Sequence, residues 1–362
     1  MFADAYRRRR VLITGHTGFK GSWLAMWLNE LGAEVCGIGL PMPYAPSHFS
    51  LLRPRCRSEF VDINNYEGIR AIFADFAPEI VFHLAAQSLV RESYQHPVDT
   101  FATNVMGTVN VLECLRGTPS VRAAVIVSSD KCYENHGLGL GYTEGDSLGG
   151  YDPYSASKGC VEIVTAAYRR SYFNPDDFKR THDMLIASAR AGNVIGGGDW
   201  ASDRIVPDLM KAAANDGVTS IRNPEAIRPW QHVMEPLSGY LTLGQHLLQG
   251  DKDAASAWNF GPDNNNVLTV VKIAELAKKI WPKISFTIAK NPGAPHEATT
   301  LRLNCDKAKQ ELRWHGVWDA SEAVARAVTW YRDYYEQSKL NSEDDLHDYC
   351  HAAARQRLPW SF

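Results

Sequence analysis

The chain lacks the features that mark a membrane protein, a nucleic-acid binder or a disulfide scaffold. In its 362 residues no apolar run approaches the ~20 residues needed to cross a bilayer. Charge is nearly balanced: 38 Lys and Arg stand against 41 Asp and Glu, a net of −3. Affinity built on neutralising nucleic-acid phosphates is therefore not expected. Cysteine is sparse and unpatterned. The seven (Cys36, Cys56, Cys114, Cys132, Cys160, Cys305 and Cys350) are odd in number, and no pair shows C-x-x-C spacing. That fits reduced thiols in a cytosol and argues against a disulfide framework or any metal site. There is no signal-peptide apolar region: Arg7 to Arg10 runs straight into "VLITG", which reads as a solvated lead-in to a first strand. Internal repeats and low-complexity tracts are also missing, so a cytoplasmic globular protein is expected.

What is present is an alternation. Short β-branched runs, "VLIT" before Gly15, then 33–39, 59–62, 78–85, 123–129 and 184–190, are separated by helical patterns at 19–32, 66–76 and 98–116. Strands this apolar, divided by helices, predict an α/β fold: a Rossmann-type, doubly wound parallel sheet covered on both faces. Beyond 190 the rhythm is irregular, with a short strand at 258–261 and an amphipathic helix near 319–337. This predicts a dinucleotide-binding domain over 8–190 and a smaller C-terminal substrate-binding lobe over 191–337, interleaved with it. Residues 338–362 form a tail, either loose or clipped to the body.

The string "TGHTGFKG" sets Gly15, Gly18 and Gly21 at the first strand–helix turn. Glycine there lets the backbone approach a pyrophosphate, and the helix start offers free N–H groups. Residues Gly15, His16, Thr17, Gly18, Phe19 and Lys20 are thus the expected dinucleotide cradle. An acid for the adenosine ribose, due roughly 20 residues on, is missing from "GIGLPMP", and no arginine replaces it. His16 and Lys20 either contact the cofactor instead or belong to a solvated loop. Asp62, before Ile63, is placed to bond an adenine amino group.

Two further strings carry chemistry. "DPYSASKGC" sets Tyr154 and Lys158 at i,i+4, on one helix face. A phenol with a reference pKa near ~10 becomes a usable base when an ammonium and a cationic cofactor ring favour its phenolate. "VIVSSDKCY" ends a strand in Ser128, Ser129, Asp130 and Lys131. Exposed strand ends are often polar, but this one precedes the Tyr-Lys pair by 24 residues in a dinucleotide-binding pattern.

Taken together, "GHTGFKGSWL", "SSDKCY", "GGYDPYSASKGC", "RAGNVIGGGDWASDR" and "IRPWQHVMEPLSGY" resemble the nucleotide-sugar 4,6-dehydratases, extended short-chain dehydrogenase/reductases. The match spans roughly residues 8 to 335. Relatives acting on dTDP-glucose carry Asp-Glu after the strand; those acting on CDP-glucose carry Asp-Lys, as Asp130-Lys131 do. The resemblance implies NAD as cofactor and CDP-glucose as substrate, converted to a 4-keto-6-deoxy sugar for deoxysugar biosynthesis. It makes Ser129, Asp130, Lys131, Tyr154 and Lys158 catalytic. Leu84, Ala85, Ala86, Gln87 and Thr103 would line the cofactor crevice. Asn193, Arg204, Arg228 and His296 would hold the nucleotide and diphosphate. Lys131 either takes the C5 proton as a neutral amine or stabilises an enolate as a cation; a plain pair with Asp130 requires the strand to have ended before them.

The alternatives are a dehydratase for dTDP-glucose or GDP-mannose, a 4-epimerase, and a non-catalytic dinucleotide sensor. An epimerase has no use for Asp130-Lys131, and a sensor has none for both Tyr154 and Lys158. Helices at 98–116 and 155–173 are apolar over more than one stripe. By resemblance they would pair across a two-fold axis in a homodimer or homotetramer.

Overall fold

The computed structural model describes residues 1–42, 44–137, 141–263, 268–289 and 301–362. Seven parallel strands form one sheet: β1 (Arg10–Thr14), β2 (Glu34–Gly39), β3 (Cys56–Phe60), β4 (Ile80–His83), β5 (Ala123–Val127), β6 (Leu185–Ala191) and, later in the chain, β11 (Ala257–Phe260). Their order is β11-β6-β5-β4-β1-β2-β3, so the order reverses between β1 and β4. That reversal opens a crevice at the carboxyl ends of the strands, where such sheets take their ligands.

The period of two in each strand divides the core. Val11, Ile13, Ile80, Phe82, Val125 and Leu185 face one apolar cluster. Leu12, Val81, Ala124, Ile126 and Ile186 face the other. The first face is covered by α1 (Phe19–Glu30) and α9 (Met234–Leu248); the second by α3 (Tyr66–Phe76), α6 (Gly107–Arg116) and α7 (Pro153–Ser171). Short helices α2 (His48–Leu52), α4 (Val90–Gln95) and α5 (Pro97–Phe101) lie over the crevice side, and α5 joins α6 through a π-helical turn, Ala102–Met106.

Paired short strands β7 (Val194–Ile195) with β10 (Gln231–His232), β8 (Thr219–Ile221) with β13 (Phe286–Ile288), and β9 (Ile227–Arg228) with β12 (Leu268–Thr269) frame the second lobe. Helices α8 (Ile205–Ala214), α10 (Val270–Ile280) and α12 (Ala320–Gln337) supply its core, with Trp200, Trp230, Trp281 and Trp330. Helix α9 and strand β11 lie beyond residue 190 yet pack in the first core, as does α11 (Asp306–Glu311) through Ala308.

Both chain ends are held. Residues 342–355 form α13 (Ser342–Arg355), and Trp360 beyond it stacks on Phe2 at 5.2 Å and on Tyr349 at 5.8 Å. Of the two readings of the tail, the clip is the one observed. Arg7 and Arg8 are exposed, as a solvated lead-in requires, but the residues before them are not: Phe2 and Tyr6 are buried, and Tyr6 Oη donates to the Leu241 carbonyl. Arginines 7 to 10 masked this from the sequence; Arg9 leaves the core to pair with Glu79 at 2.7 Å.

Candidate active site

The glycine loop is built for close approach. Gly15 has φ +77°, and a Cβ on Gly21 would lie 2.1 Å from the Gly15 carbonyl oxygen. Gly18 caps α1 in an extended conformation with no side chain occupying the helix's first N–H groups. Those free donors and the helix dipole suit an anionic phosphate.

The acid missing after β2 has a structural counterpart. The buried His16 ring lies flat against Gly37, where a Cβ would meet its Cγ at 2.1 Å. Phe49 stands edge-on to the ring at 4.9 Å, and neither ring nitrogen meets a hydrogen-bond partner among the described residues. His16 therefore fills the ground that a side chain from β2 would cover. Thr17 Oγ1 donates to Leu40 O at 2.7 Å, fixing the loop beside it.

Further along the crevice, Asp62 Oδ1 accepts from Asn64 N at 2.8 Å. Ile63 is buried against Gly107, and Thr103 Oγ1 accepts from Asn64 Nδ2 at 3.4 Å. Leu84, Ala85 and Ala86 follow β4, with Ala85 N donating to Thr14 Oγ1 at 3.2 Å. Gln87 is spent on its own loop, donating to Thr100 Oγ1 at 2.9 Å and Leu89 O at 3.0 Å.

β5 ends at Val127, and Asp130–Cys132 is already a 3-10 turn. Ser129 caps that turn: its Oγ donates to Asp130 Oδ1 at 2.9 Å and accepts from Lys131 N at 3.2 Å. Because the strand is over, the charges of Asp130 and Lys131 act on one another. Asp130 is only 3% exposed. Burial raises its pKa, against the opposing charges of Lys131, Arg228 and Lys20.

Asp152 starts α7 by accepting from Ser155 N at 2.9 Å, with Pro153 in the first turn. This sets Tyr154 and Lys158 on the buried face opposite the β5 exit. Burial pushes the Tyr154 phenol up to about 12, and Asp130 adds to the rise, while a hydrogen bond with Ser129 works the other way. Burial brings Lys158 down to about 8, with Glu162 opposing, and Nζ donates to Val127 O at 3.4 Å. The protein alone therefore holds the phenol protonated.

Lys20 is not directed at the loop that carries it. Its Nζ donates to Tyr240 Oη at 3.2 Å, and its charge interacts with Lys158, Asp130 and Arg204. Burial, then Lys158, brings it to about 7. Arg204 Nη1 bonds Asp199 Oδ2 at 2.7 Å and Nη2 reaches Ser88 Oγ at 3.3 Å. Arg228, on β9, acts on Asp130. Asn193 lies between β6 and β7, its carbonyl accepting from Gln231 N at 3.3 Å. His296 lies outside the described residues.

Three site residues were missed by sequence reasoning. Asn104, in the π turn, donates to Gln87 O at 3.0 Å and Ser157 Oγ at 2.8 Å, joining the crevice loop to α7. Ser93 Oγ accepts from Tyr154 N at 3.1 Å. Tyr240, the partner of Lys20, comes from α9. Only Tyr240 had a signal, as the last residue of "IRPWQHVMEPLSGY"; the other two are single polar residues in ordinary surroundings. Among the described residues no group of three or more His, Cys, Asp or Glu could hold a metal, and no helix is long and apolar enough to cross a membrane.

The family model for GDP-mannose 4,6 dehydratase matches residues 12–327. The chain belongs to this family, within the extended short-chain dehydrogenase/reductases. A CDP-glucose 4,6-dehydratase of Salmonella typhimurium is 45% identical over 354 residues, 97% of this chain and 98% of that one. Among solved structures, an epimerase of Methanothermobacter thermautotrophicus superposes with a TM-score of 0.78 at 23% identity, over 92% of this chain and 95% of that one. A dTDP-glucose 4,6-dehydratase of Bacillus anthracis, solved with NAD, gives 0.74 at 21% identity, over 91% and 98%. Both solved structures share the fold described above.

Proposed function

We propose that this protein is an NAD-dependent CDP-glucose 4,6-dehydratase, converting CDP-glucose to CDP-4-keto-6-deoxyglucose. The observation that carries the reading is the turn Ser129–Asp130–Lys131, an acid and an amine side by side, set against Tyr154 of α7. Oxidation at C4 alone needs only the tyrosine; elimination needs the pair. The 45% identity to a CDP-glucose 4,6-dehydratase over nearly the whole chain supports the same substrate.

The residues present fit a dinucleotide: a loop with no room for a Cβ on Gly21, an uncapped helix start and the apolar floor of His16 and Phe49. The Gly15–Lys20 loop would hold its diphosphate, Asp62 its adenine, and Tyr154 and Lys158 the end nearest the sugar. NAD, when bound there, would supply the hydride acceptor for C4 and the donor for C6, so net redox would be zero. Tyr154 takes the C4 hydroxyl proton once the Lys158 ammonium and the bound cation favour its phenolate. Ser129 donates to the C4 oxygen. The new ketone acidifies the C5 proton, which Lys131 accepts when it stands as the neutral amine. Asp130, whose pKa burial raises, donates its proton to the departing C6 hydroxyl, and water leaves. Arg204 and Arg228 hold the substrate diphosphate, for which guanidinium geometry is suited.

The protein is read as a homodimer or a dimer of dimers through α5, α6 and α7. Val98 (77% exposed), Met106 and Ile163 on these elements support an apolar contact face; light scattering of Met106→Glu, expected monomeric, tests it. A cytoplasmic location is supported by seven unbridged cysteines.

The functional test gives purified protein CDP-glucose, dTDP-glucose and GDP-mannose in parallel and follows 4-keto sugar. Product from CDP-glucose at a kcat/KM at least about tenfold above the others is expected. No keto product from any of them would reject the dehydratase reading.

A further inference from the structure

Behind the catalytic turn lies a buried ion pair that the mechanism above does not use. Glu162 of α7 and Arg190 of β6 meet at 2.9 Å with side chains 2% and 3% exposed. The carboxylate is saturated: Ser128 Oγ donates to Oε1, and Ser188 Oγ donates to Oε2 at 2.7 Å. Arg190 Nη1 in turn donates to Tyr133 Oη at 2.6 Å, its guanidinium lies 4.8 Å from the Tyr133 ring centroid, and Tyr133 Oη donates to Asn259 Oδ1 of β11 at 2.8 Å.

The pair thus grips the catalytic turn at both ends. Ser128 and Tyr133 flank Ser129–Cys132 directly in sequence, and both are tied to Glu162–Arg190. Glu162 also sits four residues after Lys158 and eight after Tyr154, on the same buried face of α7. A buried ion pair is weak evidence of stabilisation, since an apolar substitute of equal volume often does as well. Its placement answers a different need. The acid and base of the elimination come from the turn after β5, the tyrosine and lysine of the oxidation from α7, and this network fixes one set against the other.

We propose that Glu162 is a positioning residue of the reaction: with Arg190 it locks the Ser129–Lys131 turn to α7, and its charge holds Lys158 as an ammonium. The proposal rests on the dehydratase reading for its kinetic part only. Burial works against ionised Glu162, but Arg190 and the donated hydrogen bonds keep its pKa below the usual carboxylate range. Other titratable groups facing Lys158 do not replace this charge. Burial keeps Cys132 a thiol and brings His83 of β4 to about 3, so it is neutral. Lys20 of α1 opposes Lys158, and Arg169 faces Glu162 from two turns further along α7.

The experiment compares wild type with Glu162→Gln, Glu162→Asp and Ser128→Ala. Lys158 ionisation is read without substrate, from the pH dependence of its acetylation by acetic anhydride, resolved by peptide mass. Glu162→Gln is expected to move that titration, and the alkaline limb of kcat, down by about one pH unit or more. Glu162→Asp restores the titration. Ser128→Ala leaves the titration in place and lowers kcat about tenfold with KM little changed. The proposal is overturned if Glu162→Gln titrates Lys158 as wild type does, or loses activity only in step with its unfolded fraction. Where Glu162→Gln does not fold, a wild-type kcat in Ser128→Ala overturns it. Failure of the dehydratase reading shows separately, as wild type without turnover and with the labelling result intact.

Discussion

Lys20 Nζ donates to Tyr240 Oη at 3.2 Å, joining the first turn of α1 to the middle of α9 across the mouth of the sheet. The contact draws the lysine off the phosphate loop and into the field of Asp130 and Lys158. Its folded pKa, about 7, lies below the ordinary 10.5. The unfolded chain therefore holds the proton more tightly, and ionised Lys20 costs stability. That cost is full below about pH 7 and is relieved as pH rises toward 10.5. Lys20→Met should be more stable than wild type at pH 6, with the gap closing above pH 8. It should also favour the protonated form of Asp130, which loses a neighbouring cation, and so move up the limb of the pH–rate profile that Asp130 sets. Urea melts at three pH values and steady-state rates check both; an unchanged stability gap across pH would contradict the assignment.

In the proposed mechanism Asp130 is the proton donor for loss of the C6 hydroxyl. Asp130→Asn keeps the shape and removes the proton, so elimination should slow by about 10²–10⁴-fold while C4 oxidation persists. Stopped-flow spectroscopy should then show reduced-nicotinamide absorbance that builds up and stays. Ser129→Ala is expected to behave differently, slowing the appearance of that absorbance itself.

Glu235 anchors the C-terminal clip. Buried at the start of α9, it accepts from Val317 N at 2.9 Å, Trp318 N at 2.7 Å and Tyr349 Oη at 2.9 Å. Burial raises its pKa from 4.5 to about 7. Between those values the folded state keeps a proton that the unfolded chain has released, so this group's contribution falls as pH rises through that window. The stability advantage of wild type over Glu235→Gln should shrink accordingly in urea melts. Trp360→Ala, which opens the stack on Phe2 and Tyr349, should cost about 3–5 kcal/mol at any pH in the range.

The sheet was legible because its signal is periodic. β1, β2, β4, β5 and β6 alternate between two cores or are buried on both sides, and hydrophobic pattern records that directly. β3 was read as 59–62, three residues late, since Cys56, Arg57 and Ser58 look polar; as an edge strand it is half-solvated, and Arg57 pairs outward with Asp75. The Tyr154–Lys158 spacing and the glycine loop were legible because their chemistry demands fixed offsets.

Long-range partners left no such record. Lys20 and Tyr240 are 220 residues apart, and only the fold brings them together. His16 explains the missing acid after β2 through a stacking contact on Gly37 that no spacing rule encodes. The clip escaped for the same reason: α13 is polar on one face, and its partners Phe2, Trp27 and Glu235 lie elsewhere in the chain.

The most direct test follows one atom. CDP-glucose carrying deuterium at C4 is turned over in ordinary water, and the product is examined by NMR and mass spectrometry. The account predicts deuterium in the C6 methyl group of the same molecule, with a solvent proton at C5, because one hydride leaves C4 and returns at C6. Deuterium retained at C4, or lost to solvent with no 6-deoxy product, would contradict it.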